Sequence, residues 1–210
     1  MMKILIDNGH GAGCPNGSPD GRLKEWSWAR EVASEVYAQL KSLGYDVTMI
    51  TPEQKDISIN TRVARVNKLC HLYGPENVIV VSIHADAKGN GKKWQDAYGW
   101  SCLVADTASA KSRQLANCLF DTAQAEGRHM RQPNRWQKYW ERDNVGILTR
   151  TMCPAVLTES GYMTHEEECE WLLSDAGKGR LHASMWTVLF DFWRVRNERG
   201  VLGDVGAVGR

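Results

Sequence analysis

Residues 78–86 have the sequence VIVVSIHAD, an apolar run that leads into a histidine and an aspartate. Such a continuous apolar run is typical of a strand that is buried on both faces of a sheet. Two further apolar runs, at residues 3–7 and 154–158, also lead into polar or charged residues. The sequence therefore predicts a sheet that is covered by helices on both sides.

The remaining chain alternates between strand and helix patterns. Predicted strands at residues 3–7, 45–51, 78–83, 99–105 and 154–158 alternate with predicted helices at residues 25–43, 58–73, 108–127 and 178–196. Residues 88–100 are predicted to be a loop, and residues 128–143 a loop or a short helix. We therefore expect an α/β protein with three layers, α/β/α, and a mostly parallel mixed sheet of about six strands.

Charge and hydropathy exclude two classes of protein. The 210 residues include 26 Lys and Arg against 25 Asp and Glu, a net charge of +1. Nucleic-acid-binding proteins usually carry a basic excess, so we expect no nucleic-acid partner. No segment approaches the ~20 apolar residues of a membrane span. The N-terminus lacks the pattern of a secretory signal, so we expect synthesis in the cytoplasm.

Domain organisation and cysteine usage are simple. Residues 1–198 are predicted to form one domain, and residues 199–210, with glycine at every third position from 200, a Gly-rich tail. The six cysteines are scattered and form no CxxC pair. In a chain without an export signal, this pattern favours free and mostly buried thiols over disulfides.

Four residues that could bind a metal or transfer a proton lie near the predicted strand ends. His10, His84 and Glu159 each follow a strand, and Glu25 opens the first helix. Ligands of open α/β sheets bind at the carboxyl ends of the strands. Taken singly, each histidine is explained as a loop residue and Glu25 as a favourable first-turn carboxylate. Glu159 is harder to explain, because a carboxylate after an apolar run risks costly burial.

Taken together, these residues match the chemistry of a catalytic zinc site. Two histidines and one glutamate, His10, His84 and Glu25, leave a fourth position on zinc for water. A further carboxylate, Glu159, can then act as the general base. The sequence thus predicts one Zn²⁺ per chain at the carboxyl ends of the strands.

Several short motifs in this order resemble the zinc-dependent N-acetylmuramoyl-L-alanine amidases of the amidase type 3 family. They are DNGHG at residues 7–11, Glu25 at a helix start, the segment from Ile57 to Asn67, SIHAD at residues 82–86, and the segment from Gly146 to Glu168. The resemblance extends from residue 3 to residue 193. Two positions depart from the family pattern, Asn8 in place of proline and His165 in place of asparagine.

The resemblance implies an activity and a role for each site residue. The reaction is hydrolysis of the amide between N-acetylmuramic acid and L-alanine of the stem peptide. His10, Glu25 and His84 become zinc ligands, and Glu159 the catalytic residue. Metal-bound histidines usually donate their second N–H to an oxygen, which makes Asp7 and Asp86 candidate acceptors, with solvated loop carboxylates as the alternative. His165 is a candidate for lining the site.

The expected substrate is peptidoglycan, and the missing signal peptide suggests a phage or prophage endolysin that a holin releases from the cytoplasm to the wall. A cell-encoded enzyme is the alternative origin. Two other functions remain open at this point. One is a zinc carboxypeptidase or endopeptidase that cleaves within the stem peptide. The other is a catalytically silent peptidoglycan-binding module, which is disfavoured because all four chemical positions are filled.

Tryptophan is unusually abundant, with nine residues against three phenylalanines. Trp28, Trp171, Trp186 and Trp193 have apolar neighbours at helical positions and are assigned to the core, and all but Trp171 fall on the helices predicted above. Trp94, Trp100, Trp136 and Trp140 lie in irregular segments, where exposed rings can stack on a ligand or pack in a loop. Trp136 and Trp140, spaced as i and i+4, are the preferred candidates for substrate contact.

Overall fold

A six-stranded sheet in the order β2-β1-β3-β6-β4-β5 forms the centre of the structure. The structure is a computed structural model and describes residues 2–181, 183, 185 and 187–189. Strands β1, β2, β3 and β6 are parallel, whereas β4 runs antiparallel to β6 and parallel to β5. The predicted three-layer α/β/α architecture with a mostly parallel mixed sheet is confirmed.

The element bounds follow the sequence pattern closely. The strands are β1 Lys3–Asn8, β2 Val47–Met49, β3 Val78–Asp86, β4 Ser101–Ala105, β5 Trp140–Arg142 and β6 Ala155–Tyr162. The helices are α1 Glu25–Ser42, α2 Ile59–Tyr73, α3 Ala110–Ala125, α4 Gly146–Thr149 and α5 Glu166–Leu173, and residues 175–181 are also helical.

Alternate residues of the central strands face two separate apolar clusters. In β1, Ile4 and Ile6 belong to the cluster that contains residues of α1, α3 and α5, whereas Leu5 belongs to the cluster that contains residues of α2 and α4. In β3, the same alternation separates Val81 from Val80. This alternation is the period of a strand, and it explains why the central runs are apolar at every position.

The reversed direction of β4 determines where the long connections lie. Strand β3 ends at Asp86, and β4 starts beside the carboxyl end of β6, because Ser101 pairs with Glu159. Segments 87–100 and 126–139 therefore both lie at the end of the sheet where the parallel strands β1, β3 and β6 terminate.

Three structural features differ from the prediction or extend it. Segment 128–143 contains the edge strand β5 rather than a helix, and α4 and α5 were not predicted. Helix α5 begins with Glu166, Glu167 and Glu168, an acidic first turn that would have indicated a helix start. The predicted helix at 178–196 is helical at the positions that are described, and the tail at 199–210 lies outside the described residues, as do Trp186 and Trp193.

Two predictions about the chain as a whole can be compared with the structure. All six cysteines are free, and four of them are buried, as expected. Within the described residues, no helix combines the length and apolarity that crossing a membrane requires.

Candidate metal centre and catalytic carboxylate

The candidate site lies where the parallel strands end. His84 and Glu159 are paired neighbours on β3 and β6. His10 follows β1 by two residues, and Glu25 is the first residue of α1. The fold thus brings together the four residues that the sequence suggested for metal binding and proton transfer.

The two imidazoles converge on one carboxylate. His84 Nδ1 lies 2.9 Å from Oε1 of Glu25, and His10 Nε2 lies 3.1 Å from Oε2. One ligand atom from each of these three residues can be chosen so that all three lie within 4.8 Å of one another. The two rings meet edge to face, with centroids 5.0 Å apart. This arrangement can hold one metal ion.

Glu25 is buried and ionised. Burial alone would raise its pKa, but hydrogen bonds with His10 and His84 outweigh that effect and lower the pKa of Glu25 to about 2. The same contact with Glu25 raises the pKa of His10. Asn16 Nδ2 donates to Oε2 of Glu25 over 3.1 Å. The site therefore keeps a negative charge between the two rings, which favours a cation.

Glu159 has the opposite electrostatics. Burial, followed by the charges of Asp86 and Glu25, raises the pKa of Glu159 well above its ordinary value. Among the described residues, nothing hydrogen-bonds to its Oε2 atom, which is inaccessible to solvent. A buried carboxylate without a partner is costly, and its presence here points to a chemical role. A pocket of about 230 Å³ adjoins Glu159, Glu25 and both histidines.

Arg62 supports the loop that carries His10. Its buried guanidinium donates to Oδ1 of Asp7 over 2.7 Å and to the carbonyl oxygens of Asn8 and His10 over 2.6 and 2.7 Å. His10 has φ +56°, the single non-glycine residue with positive φ in the described chain. Such a conformation is uncommon for histidine and needs support from its surroundings. Arg62 lies in the segment from Ile57 to Asn67 that carries part of the family resemblance, but the sequence alone assigned it no role.

Gly9 is required by a close approach. A Cβ atom at this position would lie 2.6 Å from the His84 ring. The absence of a side chain lets the backbone before His10 run directly beside His84, and so brings the two rings to one site.

Two predicted neighbours of the site, Asp7 and Asp86, have other contacts. Asp7 accepts hydrogen bonds from Arg62 and from Ser82 Oγ, and these contacts replace the expected bond to a histidine ring. Asp86 accepts from the N–H of Ala87 and lies 3.5 Å from Arg131. It still acts on the site, because its charge contributes to the raised pKa of Glu159.

His165 is a helix cap. Its Nδ1 atom accepts a hydrogen bond from the N–H of Glu168, and its ring lies 5.3 Å from that of Tyr98. It is absent from the pocket that adjoins Glu159, which differs from the prediction that it lines the site. A histidine Nδ1 can serve where asparagine is common because both side chains can cap a helix N-terminus.

The division of the tryptophans into core residues and exposed candidates differs from the prediction. Trp28 is buried in the core as expected, but Trp100 is buried as well, and Trp94 packs against the same cluster. Trp136 is 81% exposed. Trp140 lies on β5 and packs against the α2–α4 cluster. Because this segment is not helical, the i, i+4 spacing does not place the rings of Trp136 and Trp140 on one face.

A second groove, of about 260 Å³, extends from the histidines along the α2–α4 side of the sheet. Ile57, Ile59, Val145 and Ile147 give it an apolar wall, and His10 and His84 lie at its inner end. An extended ligand can therefore approach the histidines from this side.

The donor set fits zinc. Two neutral imidazoles and one carboxylate are ligands that zinc prefers in catalytic sites, and an adjacent open pocket leaves room for water and substrate. Glu159, whose Oε2 atom has no hydrogen-bond partner among the described residues, lines that same pocket. The fold is an α/β fold, and the site is a candidate metal centre with a carboxylate beside it, the arrangement expected of a hydrolase that uses a metal ion.

Sequence comparison then gives the family. The chain matches the Amidase_3 family, N-acetylmuramoyl-L-alanine amidase, over residues 4–188, and it belongs to this family of amidases. It is 36% identical over 84 residues to the N-acetylmuramoyl-L-alanine amidase AmiC of Neisseria meningitidis serogroup B. That alignment covers 40% of this chain and 19% of the relative, so the chain spans about a fifth of the length of the curated relative that it matches.

Solved structures share the fold. The N-acetylmuramoyl-L-alanine amidase from Clostridium difficile 630 superposes with a TM-score of 0.75 at 20% identity, covering 92% of this chain and 97% of that chain. The catalytic domain of CwlV, an N-acetylmuramoyl-L-alanine amidase from Bacillus (Paenibacillus) polymyxa var. colistinus, gives a TM-score of 0.74 at 22% identity, covering 93% and 99%.

Proposed function

We propose that this chain hydrolyses the amide bond between N-acetylmuramic acid and the L-alanine of the peptidoglycan stem peptide, with one Zn²⁺ held by His10, Glu25 and His84. The observation that carries the proposal is the convergence of these three ligands beside the buried, unpartnered carboxylate of Glu159. Family membership over residues 4–188 supports the choice of bond.

Zinc, when bound, would lower the pKa of water and polarise the scissile carbonyl. His10, Glu25 and His84 would hold the ion. Glu25 is fixed by Asn16 and by the first turn of α1, and His10 by the backbone contacts of Arg62. The site is therefore preorganised before substrate arrives, which lowers the reorganisation cost of the reaction.

Glu159 is suited to move a proton twice. Its raised pKa makes the carboxylate a stronger proton acceptor than an exposed glutamate, so it can take a proton from the attacking water. Its protonated form can then donate to the nitrogen of the leaving L-alanine. Because Oε2 has no partner within the described residues, both transfers can use that atom without breaking a protein hydrogen bond.

Product analysis of purified enzyme on isolated cell walls tests the cleaved bond. An amidase releases stem peptides with a free L-alanine amine and leaves the glycan intact. New amino termini further along the peptide, or loss of its last residue only, would instead identify an endopeptidase or a carboxypeptidase.

Metal content tests the zinc proposal and the silent-module alternative together. Purified protein should contain one zinc per chain, and a chelator should abolish wall hydrolysis until zinc is restored. A protein with neither zinc nor turnover that still binds walls would be a binding module.

The endolysin role and its holin-dependent release are part of the same proposal. Expression inside a bacterium with a holin should cause lysis, whereas expression without the holin should leave the cells intact. Lysis without a holin would contradict this route to the wall.

A further inference from the structure

A polar pocket beside the sheet edge lies outside the metal centre. It measures about 460 Å³, and α3 and the residues leading into β5 line it, including Trp136, Tyr139, Asn117 and Gln137. We propose that this pocket binds the N-acetylated sugars of the glycan strand while the amide bond is at Glu159. This inference rests on the proposed peptidoglycan substrate and names a second contact with it.

The ring of Trp136 is held outward. It is 81% exposed, an extreme value for the largest apolar side chain. Its backbone N–H donates to Oδ1 of Asn134 over 2.9 Å, and the Arg135 guanidinium lies 4.4 Å from the ring centroid. These contacts fix the turn and lower the entropy cost of using the ring as a flat stacking surface, which favours binding of a flat-faced ligand.

The neighbouring amides provide hydrogen-bonding groups. The side chains of Asn117 and Gln137 line the pocket and make no hydrogen bond to any other described residue. Each amide offers a donor and an acceptor, the combination that N-acetyl and hydroxyl groups of sugars require. An aromatic face beside free amides suits a sugar better than it suits an apolar peptide side chain.

Both cations that line the pocket, Arg113 and Lys138, already have carboxylate partners. Arg113 pairs with Glu141, and Lys138 pairs with Asp121. An acidic stem peptide would have to compete with these carboxylates for the cations, whereas an uncharged sugar leaves both pairs intact. Charge therefore favours the glycan over the peptide as the occupant.

The position of the pocket allows one substrate to reach both places. Leu103 pairs with Trp140 on one side and with Leu157, two residues before Glu159, on the other. Strands β5 and β6 are thus separated by β4 alone, about 10 Å at the usual spacing. Arg131, five residues before Trp136, lies 3.5 Å from Asp86 in the pocket of Glu159. The intervening segment connects the two sites.

The test measures sugar binding separately from hydrolysis. A tetramer of β-1,4-linked N-acetylglucosamine is titrated into the full chain by calorimetry. We expect Trp136→Ala to weaken binding by about tenfold and Trp136→Phe to retain most of it, because an aromatic face is kept. Leu72→Ala is the matched control, because Leu72 is 70% exposed on α2, away from the pocket lining.

A second measurement tests whether the pocket contributes to hydrolysis of intact cell walls. The rate on intact walls relative to the rate on a soluble muramoyl peptide should fall about tenfold in Trp136→Ala and stay at the wild-type ratio in Leu72→Ala. Equal tetramer affinity in wild type and Trp136→Ala, or no tetramer binding by wild type, would overturn the inference. A chain that binds the tetramer through Trp136 but releases no stem peptide would instead contradict the proposed amidase activity alone.

Discussion

The guanidinium of Arg62 donates to the carbonyl oxygen of His10 over 2.7 Å, although the two residues are 52 positions apart. This bond connects helix α2 to the loop in which His10 adopts its positive φ. The same side chain also contacts the carboxylate of Asp7, which itself accepts from Ser82. The candidate metal centre thus depends on a residue that hydrogen-bonds to the backbone of His10 and to neither histidine ring.

Replacing Arg62 by lysine should impair metal binding. Lysine keeps the charge but cannot reproduce the fork that reaches two carbonyls and a carboxylate. We expect zinc affinity to fall about 10–100-fold, as for other residues that orient a metal ligand, and unfolding free energy to fall by about 1–3 kcal/mol. Competition with a chromophoric chelator measures the affinity.

The control for this variant lies on the same helix. Arg65 forms a half-exposed ion pair with Glu53, so Arg65→Lys should change stability by less than about 1 kcal/mol and leave zinc affinity unchanged. Equal zinc affinities of the Arg62 and Arg65 variants would contradict the supporting role of Arg62.

Zinc should stabilise the folded chain through its three ligands. At a free concentration 100-fold above Kd, binding to the native state alone adds about 2.7 kcal/mol. We expect an upward shift of the melting temperature on adding zinc, and loss of the shift in His10→Ala. His71→Ala, which removes an exposed histidine of α2, should retain the full shift. A shift in His10→Ala as large as in wild type would exclude His10 as a ligand.

Glu159→Gln should separate metal binding from turnover. The variant keeps the size of the side chain and all three proposed ligands but removes the group that accepts and returns the proton. We expect normal zinc content and a fall in kcat of about 10²–10⁴-fold. Release of stem peptides from walls, measured beside zinc analysis, checks both. A wild-type rate would show that Glu159 is not the base, and Glu35→Gln, which removes an exposed carboxylate of α1, is the control.

The same variant should reveal a cost in stability of the metal-free protein. The folded pKa of Glu159 lies above its unfolded value of about 4.5, so the folded state takes up a proton that the unfolded state releases. The contribution of Glu159 to the free energy of unfolding is therefore most favourable below pH 4.5. It becomes less favourable as the pH rises towards the folded pKa, because folding then has to bury a charge or take up a proton. Glutamine carries no such charge.

Glu159→Gln should accordingly melt higher than wild type at pH 7 and at nearly the same temperature at pH 4. For a chain of this length, each kcal/mol corresponds to about 2–4 °C. Calorimetric scans at both pH values, in the presence of chelator, measure the difference. A difference that is equal at the two pH values would mean that ionisation of Glu159 is not its cause.

Asp86→Asn should move the pH profile of the reaction. The negative charge of Asp86 contributes to raising the pKa of Glu159, so its removal lowers that pKa. Since the base acts when deprotonated, the acidic limb of kcat/KM should move to lower pH. Asp96→Asn, which alters an exposed ion pair with Lys88, should leave the limb in place. A limb that stays fixed in Asp86→Asn would argue against Glu159 as the titrating group.

The central sheet and the four chemical residues were predictable because strand and motif signals are local. Apolar runs mark β1, β3 and β6, and the polar residues that follow them meet because parallel strands end at one edge. The direction of β4 relative to β6 was not predictable, since the composition of a five-residue strand does not specify whether its neighbour is parallel or antiparallel. Strand β5 has three residues, and its pairing rather than its composition makes it a strand.

The contacts around the site were less accessible to sequence reasoning. Arg62 carried a usable signal, because it lies on the buried face of α2 with Val66 and Cys70 at helical spacing, where an arginine needs buried partners. Asp7 carried no such signal. Whether its carboxylate hydrogen-bonds to Arg62 or to a histidine ring depends on how close α2 lies to β1, which the sequence does not show. Spacing alone also misassigned Trp140, since i, i+4 neighbours share a face only in a helix.

The antiparallel strand β4 has a consequence for how relatives of this chain can diverge. Segments 87–100 and 126–139 both lie at the catalytic end, and neither belongs to the pairing of β1, β3 and β6. Insertions or deletions in either segment would alter the shape of the entrance while every ligand stays attached to an unchanged frame. The shape of the entrance, which decides what substrate can enter, can therefore evolve independently of the residues at the strand ends.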